Sequence, residues 1–133
     1  MSREGVEAHL VAALAERRDI AAVYLFGSVA RDAARQDSDV DVGILFATVP
    51  QSTLDAGPRE LEMELERRLG GRVQLVVLNA APADLRIRVL RAGGLILDRD
   101  RSARIRFEVS TRNEFFDLEP ILRSYRAPRE PTS

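Results

Sequence analysis

The chain has 133 residues, 45% of them hydrophobic, and a formal net charge of −1. This composition predicts one domain with a hydrophobic core and no bulk electrostatic attraction to nucleic acid or membranes. Cysteine is absent and the single histidine is His9, which excludes disulfides and thiolate metal sites and argues against histidine-based catalysis. We expect His9 to be structural or solvated. No apolar run is long enough to span a membrane and residues 1–20 do not resemble a signal peptide, so we expect a cytoplasmic protein.

The first predicted element is an amphipathic helix. Val6, Leu10 and Leu14 recur at i, i+4 and i+8 within residues 4–18, and the charged side chains lie off that stripe. Ser2 precedes the pattern and is a suitable N-cap. One face of this helix is therefore expected to cover the core.

A glycine turn between two predicted strands comes next. Residues 21–26 form an apolar, partly aromatic run that stops at Gly27, which is typical of a buried strand followed by a turn. Residues 29–35 are rich in alanine and arginine and suit a short helix that begins with Ser28 as its N-cap. The second strand is predicted over residues 40–46.

The middle of the chain contains a loop and an ambiguous segment. Residues 47–58 contain proline, serine, threonine and glycine and are predicted to form the loop. Residues 59–69 alternate glutamate with leucine and methionine, as a strand would, but Leu61, Leu65 and Leu69 also fit a helical stripe. Because glutamate, leucine, methionine and arginine are strong helix formers, we predict a helix.

The remaining elements alternate strand and helix. We predict a strand over residues 72–78, a helix over residues 83–92 and a short edge strand over residues 95–97, followed by a C-terminal helix. Pro120 is expected to divide this last helix from a short final segment. Residues 127–133 are expected to be a frayed tail.

The motif around which this pattern is arranged combines a small-residue turn with two carboxylates. Gly27-Ser28 is followed, after ten residues, by Asp39-Val40-Asp41. Aspartates at i and i+2 of a strand project to the same side, about 6.6 Å apart at the Cα atoms, and can converge on Mg²⁺. Gly27 has no Cβ to block a phosphate, and Ser28 offers a hydroxyl and a helix N-terminus. The sequence therefore predicts a nucleotide–metal site.

Each half of the motif also has an ordinary explanation. Asp39 and Asp41 alone could be exposed carboxylates at a strand end, and a Gly-Ser pair alone is a common turn. Their joint occurrence at this spacing between two apolar strands favours the nucleotide–metal site. Arg31 and Arg35 could contact phosphates in that site or form salt bridges on a helix surface.

The same residues resemble a known family. The Gly-Ser and Asp-x-Asp spacing matches the signature of the DNA polymerase beta-like nucleotidyltransferase superfamily. Residues 27–31, 38–41, 73–82 and 85–94 resemble its minimal, MNT-type members, and the resemblance covers nearly the whole chain. It implies an α/β (α+β) fold in which a small mixed β-sheet has helices packed mainly on one side, in a single domain over residues 1–133.

The resemblance also implies a function. MNT-type proteins act as antitoxins of HEPN-domain RNase toxins, and transfer AMP from ATP onto a toxin tyrosine with Mg²⁺. On that basis Asp39 and Asp41 would be the catalytic and metal-binding residues, and Gly27, Ser28 and Arg31 would bind the nucleotide. The extra substrate domain of kanamycin nucleotidyltransferase-like enzymes has no room in this chain.

One position departs from the family pattern. These enzymes usually carry a third carboxylate on the next central strand, and Gln74 is found at the matching place. An amide can offer an oxygen to a metal but cannot accept a proton, and loss of a positioned base typically costs about 10²–10⁴-fold in rate. The hypothesis is therefore weakened catalysis. Asp84 and Asp98 are the alternative acids, although neither has the expected strand placement.

Two other functions are compatible with the sequence. A non-catalytic module could bind nucleotide or partner and neutralise the partner by occlusion, through apolar side chains near the C-terminus that could otherwise pack on the sheet. Alternatively, the chain could be a nucleotidyltransferase subunit that acts on a small molecule or nucleic acid, although it lacks a basic tract for direct nucleic-acid binding. The side chains of the candidate partner surface are Phe115, Phe116, Leu118, Ile121 and Tyr125.

Overall fold

The computed structural model describes residues 2–27, 39–48 and 59–126, and from residue 117 onward it describes the backbone alone. In chain order the elements are α1 (Arg3–Leu14), β1 (Ile20–Phe26), β2 (Val40–Phe46), α2 (Arg59–Leu69), β3 (Val73–Val77), α3 (Ala83–Ala92), β4 (Gly94–Asp98) and α4 (Arg101–Arg126).

The four strands form one mixed sheet in the order β3-β2-β1-β4. The β1 strand pairs antiparallel with β2 and with β4, whereas β2 and β3 run parallel. The mixed sheet expected from the sequence is confirmed, and the segment at 95–97 is indeed an edge strand, extended to Gly94–Asp98. The parallel pair places the starts of β2 and β3 side by side, which matters for the site described below.

One face of the sheet packs against α1 and α2. Alternate residues of β2, including Val42 and Ile44, lie on this face and are fully buried against Leu10, Leu14 and Leu65 of the two helices. The helical stripe predicted from the spacing of Val6, Leu10 and Leu14 is thus the core-facing stripe of α1. We call this side of the sheet the α1/α2 face.

The opposite side, the α3/α4 face, has its own apolar cluster. Tyr24, Leu45 and Val89 are buried there, and Phe107 of α4 packs against them. Gly43 of β2 also belongs to this side of the strand, and a Cβ there would lie 3.3 Å from Leu78. The buried Leu78 side chain, which follows β3, therefore packs closely over the strand at this point.

The distribution of the helices differs from the expectation that they lie mainly on one side. Of the helices that the structure describes, two cover each face. The reason is visible in Ile20–Phe26, every residue of which is buried. A strand that is apolar on both faces requires cover on both faces, and its uninterrupted apolar run in the sequence is the corresponding signal.

The first helix begins as predicted and ends early. The Ser2 hydroxyl accepts a hydrogen bond from the Gly5 backbone N–H at 3.2 Å, so the predicted N-cap is confirmed. The helix ends at Leu14 rather than continuing to residue 18. His9 is exposed and its Nδ1 donates to the Gly5 carbonyl at 2.7 Å, which agrees with a structural or solvated role.

The ambiguous segment at residues 59–69 is a helix, α2, as predicted. Two of its four glutamates form hydrogen bonds with the backbone of β3. The Glu62 carboxylate accepts a hydrogen bond from the Leu75 N–H at 3.0 Å, and the Glu66 carboxylate accepts one from the Val73 N–H at 3.0 Å. These bonds satisfy backbone donors of β3, an edge strand that would otherwise be open to pairing with another chain.

The C-terminal helix is longer than expected. It runs over 26 residues without interruption, so the prediction that Pro120 divides it is wrong. A proline removes one intrahelical hydrogen bond, and here the turns on either side remain helical. The predicted frayed tail at 127–133 lies outside the described residues. Among the helices that the structure describes, none is both long and apolar enough to cross a membrane.

Candidate active site

The site lies where β1 ends and where β2 and β3 begin. The antiparallel register pairs Phe26, the last residue of β1, with Asp41 of β2. The parallel register pairs the same Asp41 with Gln74 of β3. Three adjacent strands therefore bring Gly27, Asp41 and Gln74 to one end of the sheet.

Gly27 is required at this turn for two reasons. Its φ of +75° lies in the left-handed region that favours glycine. A Cβ built at this position would also collide with the Asp41 carboxylate. The sequence predicted that Gly27 leaves space for a phosphate. In the structure, the space that a Cβ of residue 27 would fill is occupied by the Asp41 carboxylate. Any larger residue would displace that carboxylate.

The two aspartates of the motif are close enough at the start of β2 for their charges to interact. Asp39 is exposed just before β2, and Asp41 is half-buried within it. Burial raises the pKa of Asp41, the negative charge of Asp39 raises it further, and the positive charge of Arg88 lowers it. Two neighbouring carboxylates, one of them partly removed from water, form a site where a bound cation would be favourable.

A cavity of about 390 Å³ opens beside Asp41. This volume is within the range of small-molecule sites. The strand ends form one wall and α3 forms the other. The lining residues are Phe26, Gly27, Asp41, Gln74, Val76, Leu85, Arg88 and Ala92.

The oxygen atoms at this position suit one magnesium ion. Mg²⁺ is usually held by one or two carboxylates and completes its octahedral shell with water and substrate phosphates. Asp39 and Asp41 supply two such carboxylates, and the Gln74 amide can add a neutral oxygen. Among residues 2–27, 39–48 and 59–126 no cluster of three or more acidic, histidine or cysteine side chains is found. The described residues thus fit one ion better than a pair.

Gln74, which the sequence predicted at the position of a third acid, lies next to Asp41. Gln74 is the register partner of Asp41 and lines the same cavity. Asp84 instead lies in the first turn of α3 and lines a neighbouring cavity. Asp98 ends β4, where its carboxylate accepts a hydrogen bond from Arg104 at 2.9 Å. Neither alternative acid occupies the strand position opposite Asp41.

Three residues of the predicted site, Gly27, Asp41 and Gln74, therefore meet at one cavity. Ser28 and Arg31, together with the short helix predicted after Gly27, lie outside the described residues. Their assignment to nucleotide binding stays a prediction.

A model of one protein family, described as Polymerase beta, Nucleotidyltransferase, matches residues 9–102. The chain belongs to this family. The match contains the motif residues and Gln74, and it confirms the resemblance that the Gly-Ser and Asp-x-Asp spacing indicated. The polymerase beta-like fold expected from that resemblance is also confirmed by solved structures.

A relative of this chain agrees with that membership. The chain is 37% identical over 78 residues to the protein adenylyltransferase MntA of Thermococcus cleftensis, an alignment that covers 59% of this chain and 76% of MntA.

Two solved structures share the fold at lower identity. A toxin–antitoxin crystallised with AMP-PNP has a TM-score of 0.73 at 23% identity and covers 91% of this chain and 98% of its own. A complex of a tri-AMPylated Shewanella oneidensis HEPN toxin with its MNT antitoxin has a TM-score of 0.69 at 22% identity and covers 94% and 99%.

The charged residue of the cavity that sequence reasoning did not find is Arg88. Leu85, Arg88 and Ala92 of α3 lie at i, i+3 and i+7, and this stripe of the nucleotidyltransferase faces the motif. The helical period places Arg88 on the same stripe as the apolar residues Leu85 and Ala92, and this pattern could have indicated that Arg88 faces the sheet. Which face of α3 meets the strand ends depends on tertiary packing, and local periodicity does not encode it.

Proposed function

We propose that this nucleotidyltransferase is an antitoxin that transfers AMP from ATP to a tyrosine of a HEPN toxin, with Mg²⁺ and within a hetero-oligomer with that toxin. The observation that carries the proposal is the half-buried Asp41 carboxylate, which lies beside Asp39 and lines a cavity next to the Gly27 turn. The name of the Thermococcus relative and the modified toxin of the Shewanella complex support this reaction type.

The reaction would join the toxin to the α-phosphate of ATP. The phenolic oxygen of the tyrosine attacks the α-phosphorus, the bond from that phosphorus to the oxygen bridging to the β-phosphorus breaks, and pyrophosphate leaves. The phenolic proton passes to solvent. When bound, Mg²⁺ would neutralise phosphate charge and lower the pKa of the attacking hydroxyl. Asp39 and Asp41 would hold the ion, and Gly27 keeps the Asp41 carboxylate in place.

Gln74 limits the expected rate. It lies beside Asp41 but cannot accept a proton and brings no charge to a second ion. We expect Gln74→Asp to raise the rate of AMP transfer by about 10²-fold, at the lower end of what a positioned base contributes. The measurement is transfer of labelled AMP from ATP to the cognate toxin, with Gln74→Glu as a length control. Equal and fast rates of AMP transfer by the native protein and by Gln74→Asp would contradict the hypothesis of weakened catalysis.

A second candidate function is neutralisation by occlusion. One observation favours it: α4 exposes Ile105, Val109 and Phe116, of which Phe116 is 61% exposed. Phe115, which the sequence also assigned to this surface, is instead 6% exposed and packs in the core. The side chains of Leu118 and the residues that follow it lie outside the described ones.

The two functions predict different results for the double variant Asp39→Ala with Asp41→Ala. If catalysis neutralises the toxin, this variant fails to protect cells at a dose where the native protein protects them. If occlusion suffices, it protects them equally. Ala47→Ser, beyond the end of β2 and away from the cavity, is a matched control that should protect in both cases.

A further inference from the structure

We propose that Arg88 binds the phosphates of the nucleotide and supplies positive charge to them that does not depend on a metal ion. The inference rests on the proposed function, because it assigns a further residue to the same site. Arg88 extends from α3, on the wall of the cavity that faces the motif residues.

Arg88 occupies the boundary between two cavities. It lines the cavity of about 390 Å³ that contains Asp41 and Gln74, and also a neighbouring one of about 560 Å³ between α3 and Phe115. A ligand that extends from Asp41 toward α3 therefore meets the Arg88 guanidinium. The site would then present carboxylates on one wall for a metal ion and a fixed cation on the other.

Arg88 differs from Arg86 and Arg91 of the same helix in having no hydrogen-bond, ion-pair or aromatic-ring partner among the residues that the structure describes. Arg86 donates to the Thr111 hydroxyl at 3.3 Å and pairs with Glu114. The Arg91 guanidinium lies 4.8 Å from the centre of the Phe115 ring.

Among the residues that the structure describes, Arg88 forms no hydrogen bond or ion pair, and it acts on Asp41 only through its charge. A guanidinium left exposed and unengaged at a cavity wall is available to an anionic ligand.

The charge balance of the site points to the same ligand. Asp39 and Asp41 provide two negative charges, whereas Gln74 provides none at the position where the family resemblance predicts an acid. A second cation would therefore be held less well here. Arginine stays charged at all relevant pH values and donates paired hydrogen bonds that match phosphate oxygens. Arg88 is thus placed to replace part of the charge neutralisation that a second ion would give.

The test is binding of a fluorescent ATP analogue and of the matching adenosine analogue to the purified full chain, each with Mg²⁺ and with EDTA. Arg88→Ala is expected to weaken ATP-analogue binding by roughly 10–100-fold in both buffers, as expected for a lost charged hydrogen bond. Arg88→Lys should recover part of the loss. Arg91→Ala, on the same helix but outside the Asp41 cavity, should remain within about twofold.

Three outcomes would overturn the inference: unchanged ATP-analogue binding by Arg88→Ala, an equal loss of adenosine-analogue binding, or a loss confined to the Mg²⁺ buffer. Thermal unfolding of each variant checks that the fold is kept. If native protein binds the ATP analogue and modifies the toxin while Arg88→Ala does both equally well, only the assignment of Arg88 fails. If native protein binds no nucleotide in either buffer, the proposed function fails together with it.

Discussion

The two faces of the sheet use the same strand for different purposes. Along β2, Val42 and Ile44 point to the α1/α2 face and are completely buried among aliphatic side chains. Asp41 and Gly43 point to the α3/α4 face, where the helices leave a cavity next to the carboxylate. Since successive residues of a strand alternate between faces, one short segment both holds the core together and presents the site.

This difference has an energetic consequence. The α1/α2 face is apolar and closely packed, so substitutions there are expected to change stability with little effect on chemistry. On the α3/α4 face, burial of Asp41 raises the pKa of its carboxyl group, so the ionised form costs free energy in the folded protein at neutral pH. Substitutions on the α1/α2 face should therefore change mainly stability, and substitutions on the α3/α4 face should change mainly function.

The largest expected effect is that of Asp41→Asn. AMP transfer to the toxin should fall by at least about 10²-fold, because the variant lacks the proposed metal ligand, which would support several kcal/mol of charge stabilisation. The midpoint of thermal unfolding should be equal to or higher than that of the native protein, since the buried charge is removed. A lower midpoint accompanied by normal transfer would contradict the division between the faces.

Leu10→Ala should give the opposite pattern. Leu10 is fully buried on the α1/α2 face, and a Leu→Ala change at such a site costs about 2–5 kcal/mol of unfolding free energy. Denaturant unfolding measures this cost, and transfer assays well below the melting temperature should give near-native rates. Met63→Ala is the control, because Met63 is 52% exposed and its loss should cost little. A transfer rate that falls in proportion to stability would show that the faces are coupled.

A matched pair of glycines isolates the contact between the turn and the carboxylate. Gly27 and Gly70 have almost the same left-handed φ, +75° and +73°, but only at Gly27 would a Cβ meet another group, the Asp41 carboxylate. Gly70→Ala should cost about 1 kcal/mol through backbone strain alone. Gly27→Ala should cost more and should also reduce AMP transfer. Equal unfolding free energies and equal transfer rates for the two variants would contradict this role of Gly27.

The smallest expected effect concerns the edge of the sheet. Glu62→Ala removes the acceptor for the Leu75 N–H and should cost about 1–3 kcal/mol in denaturant unfolding. Glu64→Ala is the control, because Glu64 forms an exposed ion pair with Arg68 at 3.5 Å and, among the residues described, accepts no hydrogen bond from β3. If the two substitutions cost the same, the carboxylate on the strand edge has no special role.

Much of the fold was readable from local patterns. The strand at 40–46 and the helix at 83–92 have the predicted bounds, because an apolar pattern and the residues that end it mark both elements clearly in the sequence. The spacing of Asp39 and Asp41 predicted two neighbouring carboxylates, and the charge of Asp39 does act on Asp41. The family resemblance predicted that Gln74 faces Asp41, and the parallel register of β2 and β3 pairs these two residues.

The features that escaped prediction depend on contacts between distant segments. The hydrogen bonds of Glu62 and Glu66 to β3 were not predicted, because they depend on how α2 packs beside the edge strand. The position of Arg88 opposite Asp41 requires the packing of α3 on the sheet. Pro120 misled the prediction because an intrinsic cost of about 3 kcal/mol does not by itself end a long helix.

The most direct test of the central claim is intact-mass analysis of the cognate HEPN toxin after incubation with this protein, ATP and Mg²⁺. The account predicts that the toxin gains whole AMP units, more slowly than with the Gln74→Asp variant, and gains none with Asp41→Asn. A toxin of unchanged mass after incubation with either the native protein or the Gln74→Asp variant would contradict it.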